Sequence, residues 1–248
     1  MSPQRRLLLV FAHPDDESVF AAGVARACAD GGGVVGLCTA TPGDRGKVGQ
    51  PPACDPADVG AIRQHELRAA AAEIGVSALR VLGYPDRRLS DAPADTIRRQ
   101  LVEVIRAVRP QVVITFDPNG TNLHPDHVAI ARFVSDGIAA AADGRWFPDV
   151  HTPHAVRRLL WTLPVRPWNV LRLPHPEREP GVDFVADVSA WRERKRAALR
   201  CHRTQHQSLE RILLSKPDVD RLLSLELFRQ AWGPATARTP SADIFEGL

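Results

Sequence analysis

The chain has 248 residues, of which 44% are hydrophobic, and a formal net charge of +3. This length and composition suit one globular domain with a full core and argue against a disordered chain. The arginines are spread along the sequence, so no basic patch predicts a nucleic-acid partner. The four cysteines are scattered, and no apolar run approaches the ~20 residues of a membrane-spanning helix. With no signal-peptide pattern at the start, we expect a cytoplasmic protein with reduced thiols and no membrane span.

Strands and helices are predicted to alternate through the first half of the chain. A buried strand at 7–11 is followed by a helix at 16–29, which the glycines at 31–33 close. A second strand at 34–40 leads into a loop rich in Gly and Pro at 41–56, which is long enough to suggest a function. A helix at 58–75 and a third strand at 79–82 complete this half.

The second half begins with the same alternation and then becomes irregular. The pattern predicts a helix at 96–108, a strand at 112–116 and a helix at 125–142. Beyond it we expect strands at 158–163 and 183–188, a basic helix at 191–207 and a loose tail from 233. A Pro-rich excursion at 164–181 is either an active-site flap or a surface feature. The prediction is an α/β fold with a Rossmann-like, mostly parallel sheet, helices on both faces and a single domain over 1–248.

Two polar clusters follow strands of this predicted sheet. The first is A-H-P-D-D-E at 12–17, and the second is H-P-D-H at 124–127, after D-P-N-G at 117–120. Ligands of open α/β sheets bind at the carboxyl ends of the strands, so the two clusters can meet there and share a metal ion. A catalytic zinc site uses three protein ligands and leaves one position open. A carboxylate left unligated could serve as general base, and an extra histidine could stabilise the oxyanion or protonate the leaving group.

Spacing alone leaves the ligand set open. An extended chain would place His13 and Asp15 on one side, whereas an immediate helix would place His13 and Asp16 together. His124 and His127, three residues apart at a helix start, can also converge. The alternative is that Asp15, Asp16 and Asp126 merely cap helices, but capping requires no histidines.

At these residues the chain resembles the LmbE-like, or PIG-L, superfamily of zinc-dependent N-acetylglucosaminyl deacetylases. Both the A-H-P-D-D-E and the H-P-D-H motifs match without a change. The resemblance extends to T-P-G-D at 41–44, R-Q-H-E-L at 63–67 and the C-terminal K-R-A-A-L-R-C-H-R-T-Q at 195–205. It implies a zinc-dependent hydrolase that removes the acetyl group from a small N-acetylglucosamine conjugate, with Fe(II) as an alternative metal in reducing cytosol. A related activity, cleavage of a larger amide such as a mycothiol S-conjugate, and a non-catalytic sugar-binding relative are the alternatives.

The resemblance also implies roles for individual residues. The zinc ligands correspond to His13, Asp16 and His127, and the general base corresponds to Asp15. The electrostatic and proton-donating group corresponds to His124, with Asp126 tuning and orienting it. Arg63 lies where family members contact the sugar or its attached group. For His202 and Gln205 we expect packing or outer-shell contacts rather than metal ligation.

Two departures from the family pattern concern the substrate. Members that act in mycothiol metabolism carry a Tyr where this chain has Asn122, and the acidic loop residue is Asp44 rather than Glu. Both positions are expected near the substrate rather than the metal. We therefore predict the reaction type but not the aglycone, with poor turnover of the inositol conjugate. The oligomeric state is left open by the sequence.

Overall fold

The computed structural model describes residues 4–163, 174–175 and 178–248. Seven strands form one sheet: β1 Arg6–Phe11, β2 Val34–Thr39, β3 Ala78–Val81, β4 Val112–Thr115, β5 Arg158–Thr162, β6 Phe184–Asp187 and β7 Leu225–Trp232. The helices are α1 Asp16–Phe20, α2 Ala22–Asp30, α3 Val59–Glu73, α4 Ala94–Val108, α5 Pro125–Ala142, α6 Arg192–Cys201 and α7 Val219–Ser224. Shorter turns of helix lie at Gly120–Leu123, Arg203–Gln205, His206–Leu209 and Glu210–Leu214.

The strand order is β3-β2-β1-β4-β5-β7-β6. The first five strands are parallel, and β7 runs antiparallel to both β5 and β6. The chain moves outward from β1 through β2 to β3 and then returns to place β4 on the other side of β1. The carboxyl ends of β1 and β4 therefore form a topological switch point, where α/β proteins bind their ligands.

The core follows from the apolar strands. Leu7 through Phe11 have no exposed surface, and the residues of β4 are also buried. Helix α4 packs on α5, whereas α1, α2 and α3 all contact α6. With right-handed crossovers these two groups lie on opposite faces of the sheet, as the alternating pattern predicted. No helix in the described residues is long and apolar enough to cross a membrane.

The predicted helix at 16–29 is in fact two helices, broken at Ala21, whose φ is −145°. The Glu226 carboxylate accepts hydrogen bonds from the Gly23 and Val24 N–H groups at 2.9 Å each. These N–H groups lie in the first turn of α2, so a residue from β7 supplies the cap that the local sequence lacks.

The C-terminal part differs most from the prediction. The basic helix ends at Cys201 rather than 207, because the chain turns to bury His202. Helix α7 and strand β7 were not predicted. The expectation of a loose tail from 233 is wrong for these residues, since Ile244 and Phe245 are buried in the core and the Arg158 guanidinium donates to the Ile244 carbonyl at 2.6 Å. Most of the Pro-rich excursion, at 164–173 and 176–177, lies outside the described residues.

Candidate active site

The two predicted clusters meet at the switch point. His13 comes from the turn after β1, Asp16 is the first residue of α1, and His127 comes from the first turn of α5. The His13 Nδ1 atom lies 3.1 Å from His127 Nε2 and 3.7 Å from an Asp16 carboxylate oxygen. The other Asp16 oxygen lies 3.5 Å from His127 Nε2. Four ligand-type atoms of three residues, two of them the oxygens of the Asp16 carboxylate, thus surround one point.

This triangle fits a divalent metal ion. Ligand atoms about 2.0–2.1 Å from a zinc ion in a tetrahedral arrangement lie roughly 3.4 Å from one another, close to the three observed separations. The two imidazole nitrogens lie at hydrogen-bond distance, 3.1 Å, and a bound cation would replace the proton that they can share. His124 is a further nitrogen donor in range, since ring nitrogens of His13, His124 and His127 all lie within 4.8 Å of one another.

The other ring nitrogen of each histidine is held by the protein. His13 Nε2 lies 3.1 Å from the Asp126 carboxylate and 3.2 Å from that of Asp86. Burial lowers the pKa of His13, but these two carboxylates outweigh burial and raise it to about 10. Their contacts with Nε2 turn Nδ1 towards the shared point, as outer-shell carboxylates do in metal sites.

His127 is oriented by backbone and aromatic contacts. Its Nδ1 donates to the Gly120 carbonyl at 3.1 Å, which leaves Nε2 unprotonated and directed at the shared point. Its ring stacks on Phe116 with centroids 3.9 Å apart. Gly120 has a φ of +65°, and a Cβ there would lie 2.7 Å from the His127 Cβ, so this position requires glycine.

Asp15 is held in a conformation that non-glycine residues rarely adopt. Its φ is 119°, in the positive range that costs an L-residue of order 1–3 kcal/mol. Its carboxylate lies 3.3 Å from the Arg63 guanidinium, and its backbone N–H donates to Glu17 at 3.1 Å. Burial raises the pKa of Asp15, and Arg63 opposes that rise. The strain and the raised pKa together are typical of a functional carboxylate.

Arg63 contacts the protein through both ends of its guanidinium. It donates to the carbonyls of Gly43, at 3.0 Å, and Pro14, and only 3% of the residue is exposed. Cβ atoms on Gly43 or Gly46 would collide with the Arg63 guanidinium. Arg63 therefore joins the 41–46 loop to the turn that carries Asp15, although it also lines the cavity where a substrate contact was predicted.

His124 lies over this centre. Its ring centroid is 4.7 Å from that of His13, and its Nδ1 accepts from the Asp126 backbone N–H at 3.2 Å. Burial, and then the nearby His13, lower its pKa. The Asp126 carboxylate itself does not bond to His124. It accepts from His13 Nε2 and from the N–H groups of Arg87 and Leu89. The tuning of His124 by this carboxylate stays a prediction, and it would act through space rather than through a hydrogen bond.

Behind Asp15 lies a fully buried polar pair. The Glu17 carboxylate accepts from Ser18 Oγ at 2.6 Å and lies 2.9 Å from His202 Nε2, and neither Glu17 nor His202 is exposed. Burial opposes ionisation of both, but each stabilises the other's charge, so the pKa of Glu17 is lowered and that of His202 is raised. His202, for which packing or an outer-shell contact was predicted, thus contacts Glu17 and Ser18 and none of the proposed metal ligands by hydrogen bonds among the described residues. Gln205 donates to the Lys47 carbonyl at 2.9 Å.

A cavity of about 340 Å³ opens over the histidines. Its inner wall is His13, Asp15, Asp16, Arg63, Asp86, His124 and His127. Its outer part includes Arg45, Lys47, Arg87 and Asn122, all of them exposed. The Asn122 side-chain oxygen accepts from the His124 N–H at 3.0 Å, and its place near the substrate stays a prediction. Asp44 does not line the cavity. Its carboxylate accepts from the Asp86 N–H at 3.0 Å, a contact between two loops, and its predicted substrate contact stays a prediction.

Sequence reasoning missed Asp86 and the Glu17–His202 pair. Asp86 follows β3 in the turn G-Y-P-D, and its only signal was a carboxylate after a strand of the same sheet. Glu17 was visible in the motif but without a partner, because His202 lies 185 residues away.

The fold and this donor set define the class of the protein: an α/β enzyme with a histidine–carboxylate centre suited to a divalent metal at the switch point. Comparisons with known proteins give the family. The family model described as GlcNAc-PI de-N-acetylase, PIG-L, matches residues 8–138. The chain belongs to this family, as the resemblance predicted, and it is an N-deacetylase.

Curated relatives agree with this assignment. The chain is 36% identical to a 1D-myo-inositol 2-acetamido-2-deoxy-alpha-D-glucopyranoside deacetylase of Geodermatophilus obscurus, over 100% of this chain and 99% of the relative. It is 38% identical to the enzyme of the same name from Streptomyces griseus, over 82% of this chain and 75% of the relative. A conserved protein from Thermus thermophilus has a similar fold, with a TM-score of 0.70, 24% identity and coverage of 94% and 97% of the two chains. The named relatives support deacetylation rather than cleavage of a larger amide.

Proposed function

We propose that this protein is a zinc-dependent hydrolase that removes the acetyl group from an N-acetylglucosamine conjugate. The observation that carries the proposal is the convergence of His13 Nδ1, His127 Nε2 and the Asp16 carboxylate on one point at the base of an open cavity. The two relatives described above act, by name, on an inositol conjugate of this sugar. The substrate class therefore extends to this chain as a small amino-sugar conjugate, with the aglycone to be found by assay.

His13, Asp16 and His127 would hold the ion. A divalent metal there supplies Lewis acidity, which favours ionisation of water near neutral pH and polarises an amide carbonyl. Imidazole and carboxylate ligands suit zinc, and they also suit Fe(II), which is the alternative metal in a reducing compartment. The outer-shell bonds of Asp126, Asp86 and Gly120 would hold both imidazole rings in the orientation that turns one nitrogen of each towards the ion.

The remaining residues would handle protons and charge. Asp15 lies beside the ligands without completing their triangle, and its raised pKa suits a general base that takes the proton of the attacking water. His124, on the other side of the centre, is placed to stabilise the developing oxyanion and to deliver a proton to the departing amine. Arg63 and Asn122 would contact the sugar or its aglycone from the cavity wall.

The test is an amine-release assay on a panel of N-acetylglucosaminides with inositol, carboxylate-bearing, lipid and antibiotic-type aglycones. Protein stripped by a chelator is expected to be inactive and to regain activity with about one equivalent of zinc or Fe(II). His124→Ala should retain metal and lose rate. A protein that binds no stoichiometric metal, and that is inactive whichever metal is added, would contradict the proposal.

We also propose a cytoplasmic location. Its support is that Cys28, Cys38, Cys54 and Cys201 are all free thiols, which reducing compartments maintain. Detection of the native protein in a cytosolic fraction would test it.

A further inference from the structure

The strained backbone of Asp15 must be held in place by its surroundings, because a non-glycine residue at φ 119° relaxes unless its neighbours prevent it. Two groups hold it. Arg63, from α3, contacts the carboxylate of Asp15 and the carbonyl of Pro14 on one side. Glu17 accepts the Asp15 backbone N–H on the other side, at 3.1 Å.

Glu17 can do this only if its own buried charge is balanced. An isolated buried carboxylate is strongly disfavoured, and Glu17 has no exposed surface. Its balance comes from His202, whose Nε2 lies 2.9 Å away, and from the Ser18 hydroxyl. His202 Nδ1 is buried and has no hydrogen-bond partner among the described residues, so Glu17 and Ser18 are the only side chains that the imidazole contacts by hydrogen bonds.

The position of His202 is itself fixed. It follows the last residue of α6, where the carbonyl end of the helix favours a cation. Two residues later, the Thr204 backbone N–H and hydroxyl donate to the Glu66 carboxylate at 2.8 and 2.7 Å. Glu66 lies on α3 one turn after Arg63, so the same helix anchors both supports of Asp15.

We propose that His202 is a positioning residue for the reaction: through Glu17, it holds the backbone of Asp15 in the orientation that directs its carboxylate into the cavity. This inference rests on the proposed role of Asp15 as general base. If it is correct, the segment after α6 that carries His202 affects the rate of the chemical step, although His202 does not line the cavity.

His202→Gln tests the inference. It removes the ionisable imidazole and leaves an uncharged amide of similar length that can still form a hydrogen bond. We expect kcat to fall about 10- to 100-fold with metal content and KM close to wild type, since misplacement of a catalytic group by about 1 Å costs up to about 10²-fold. Glu17→Gln should give the same pattern, and it serves if His202→Gln fails to fold. The matched control is His154→Gln, which removes a remote histidine bond to the Pro110 carbonyl, 2.8 Å long, and should leave kcat unchanged.

A double-mutant cycle separates positioning from general structural damage. In an Asp15→Asn background, His202→Gln should cause little further loss of kcat, because the group that it positions is already disabled. An equal loss in both backgrounds, or an unchanged kcat in the single His202→Gln variant, would overturn the inference. Undiminished activity of Asp15→Asn itself would instead overturn the proposed base, so the two failures can be told apart.

Discussion

The inner wall and the outer rim of the cavity are built in different ways. On the inner wall, His13, Asp16 and His127 are buried, and each has a second contact with the protein that fixes its orientation. On the rim, Arg45, Arg87 and Asn122 are exposed. Buried side chains with fixed orientations suit the groups that carry out the reaction. Exposed side chains can be substituted without moving those groups. The difference leads us to expect that substitutions in the wall change the reaction itself and that substitutions on the rim change only the choice of aglycone.

The largest effect should come from a change in the wall itself. Asp16→Ala removes one of three proposed ligands and also the acceptor for the His13 N–H, which lies 2.8 Å from the carboxylate. We expect bound metal and activity to be lost together, as measured by elemental analysis and amine release. A variant that keeps a full equivalent of metal would show that Asp16 is not a ligand.

Asp15→Asn should separate catalysis from metal binding within the same wall. Asparagine keeps the shape of the side chain but cannot take a proton from water. The expected loss is roughly 10²–10⁴-fold in kcat, the usual contribution of a positioned general base, with metal content near wild type. If Asp15→Asn were metal-free while Asp16→Ala stayed loaded, the two assignments would be exchanged.

Asp126→Asn tests whether a residue that contacts a proposed ligand, rather than the metal, also contributes to metal affinity. The Asp126 carboxylate accepts from His13 and from two backbone N–H groups, and an amide must turn a donor towards one of them. We expect metal affinity to fall about 10- to 100-fold, the usual cost of losing an outer-shell partner. Competition with a chelator of known affinity measures this change.

The control for Asp126→Asn is Asp136→Asn on the same helix, which changes only a carboxylate paired with Arg98. The control should retain wild-type affinity. Unchanged metal affinity in Asp126→Asn, with a shifted pH–rate profile, would place the role of Asp126 at His124 instead.

Local sequence patterns predicted most residues of the inner wall but few of the residues that hold them in position. His13 and Asp16 lie three residues apart, as do His124 and His127, and both pairs follow strands that a short apolar run makes recognisable. The α/β class was predictable for the same reason. Asp86 reaches His13 from another loop, 73 positions along the chain, and no short-range pattern marks such a contact.

The errors in the fold have the same physical origin. The break at Ala21 depends on Glu226, which lies 203 residues from Gly23. The helix propensity of residues 16–29 does not indicate this break. The segment after 233 was predicted as a loose tail because it contains few apolar residues. In the structure, the Arg158 side chain, from β5, donates hydrogen bonds to its backbone carbonyls. Long-range polar contacts thus decided where the predicted elements end.

The smallest effect should come from the rim, and it tests whether substrate identity is set there. Asn122 is exposed on the cavity wall where relatives in mycothiol metabolism are expected to carry Tyr. One hydrogen bond contributes about 0.5–1.5 kcal/mol, so Asn122→Tyr should raise kcat/KM for the N-acetylglucosaminyl-inositol conjugate by roughly 2- to 12-fold. Metal content should not change. Asn122→Asp is the control, since it retains an oxygen that can accept from the His124 N–H and should give no such gain.

The wild-type protein should turn over the inositol conjugate poorly beside some other member of the panel. If that conjugate is instead the best wild-type substrate, Asn122 does not restrict the aglycone. The exposed rim would then not distinguish this protein from the relatives that act on the inositol conjugate.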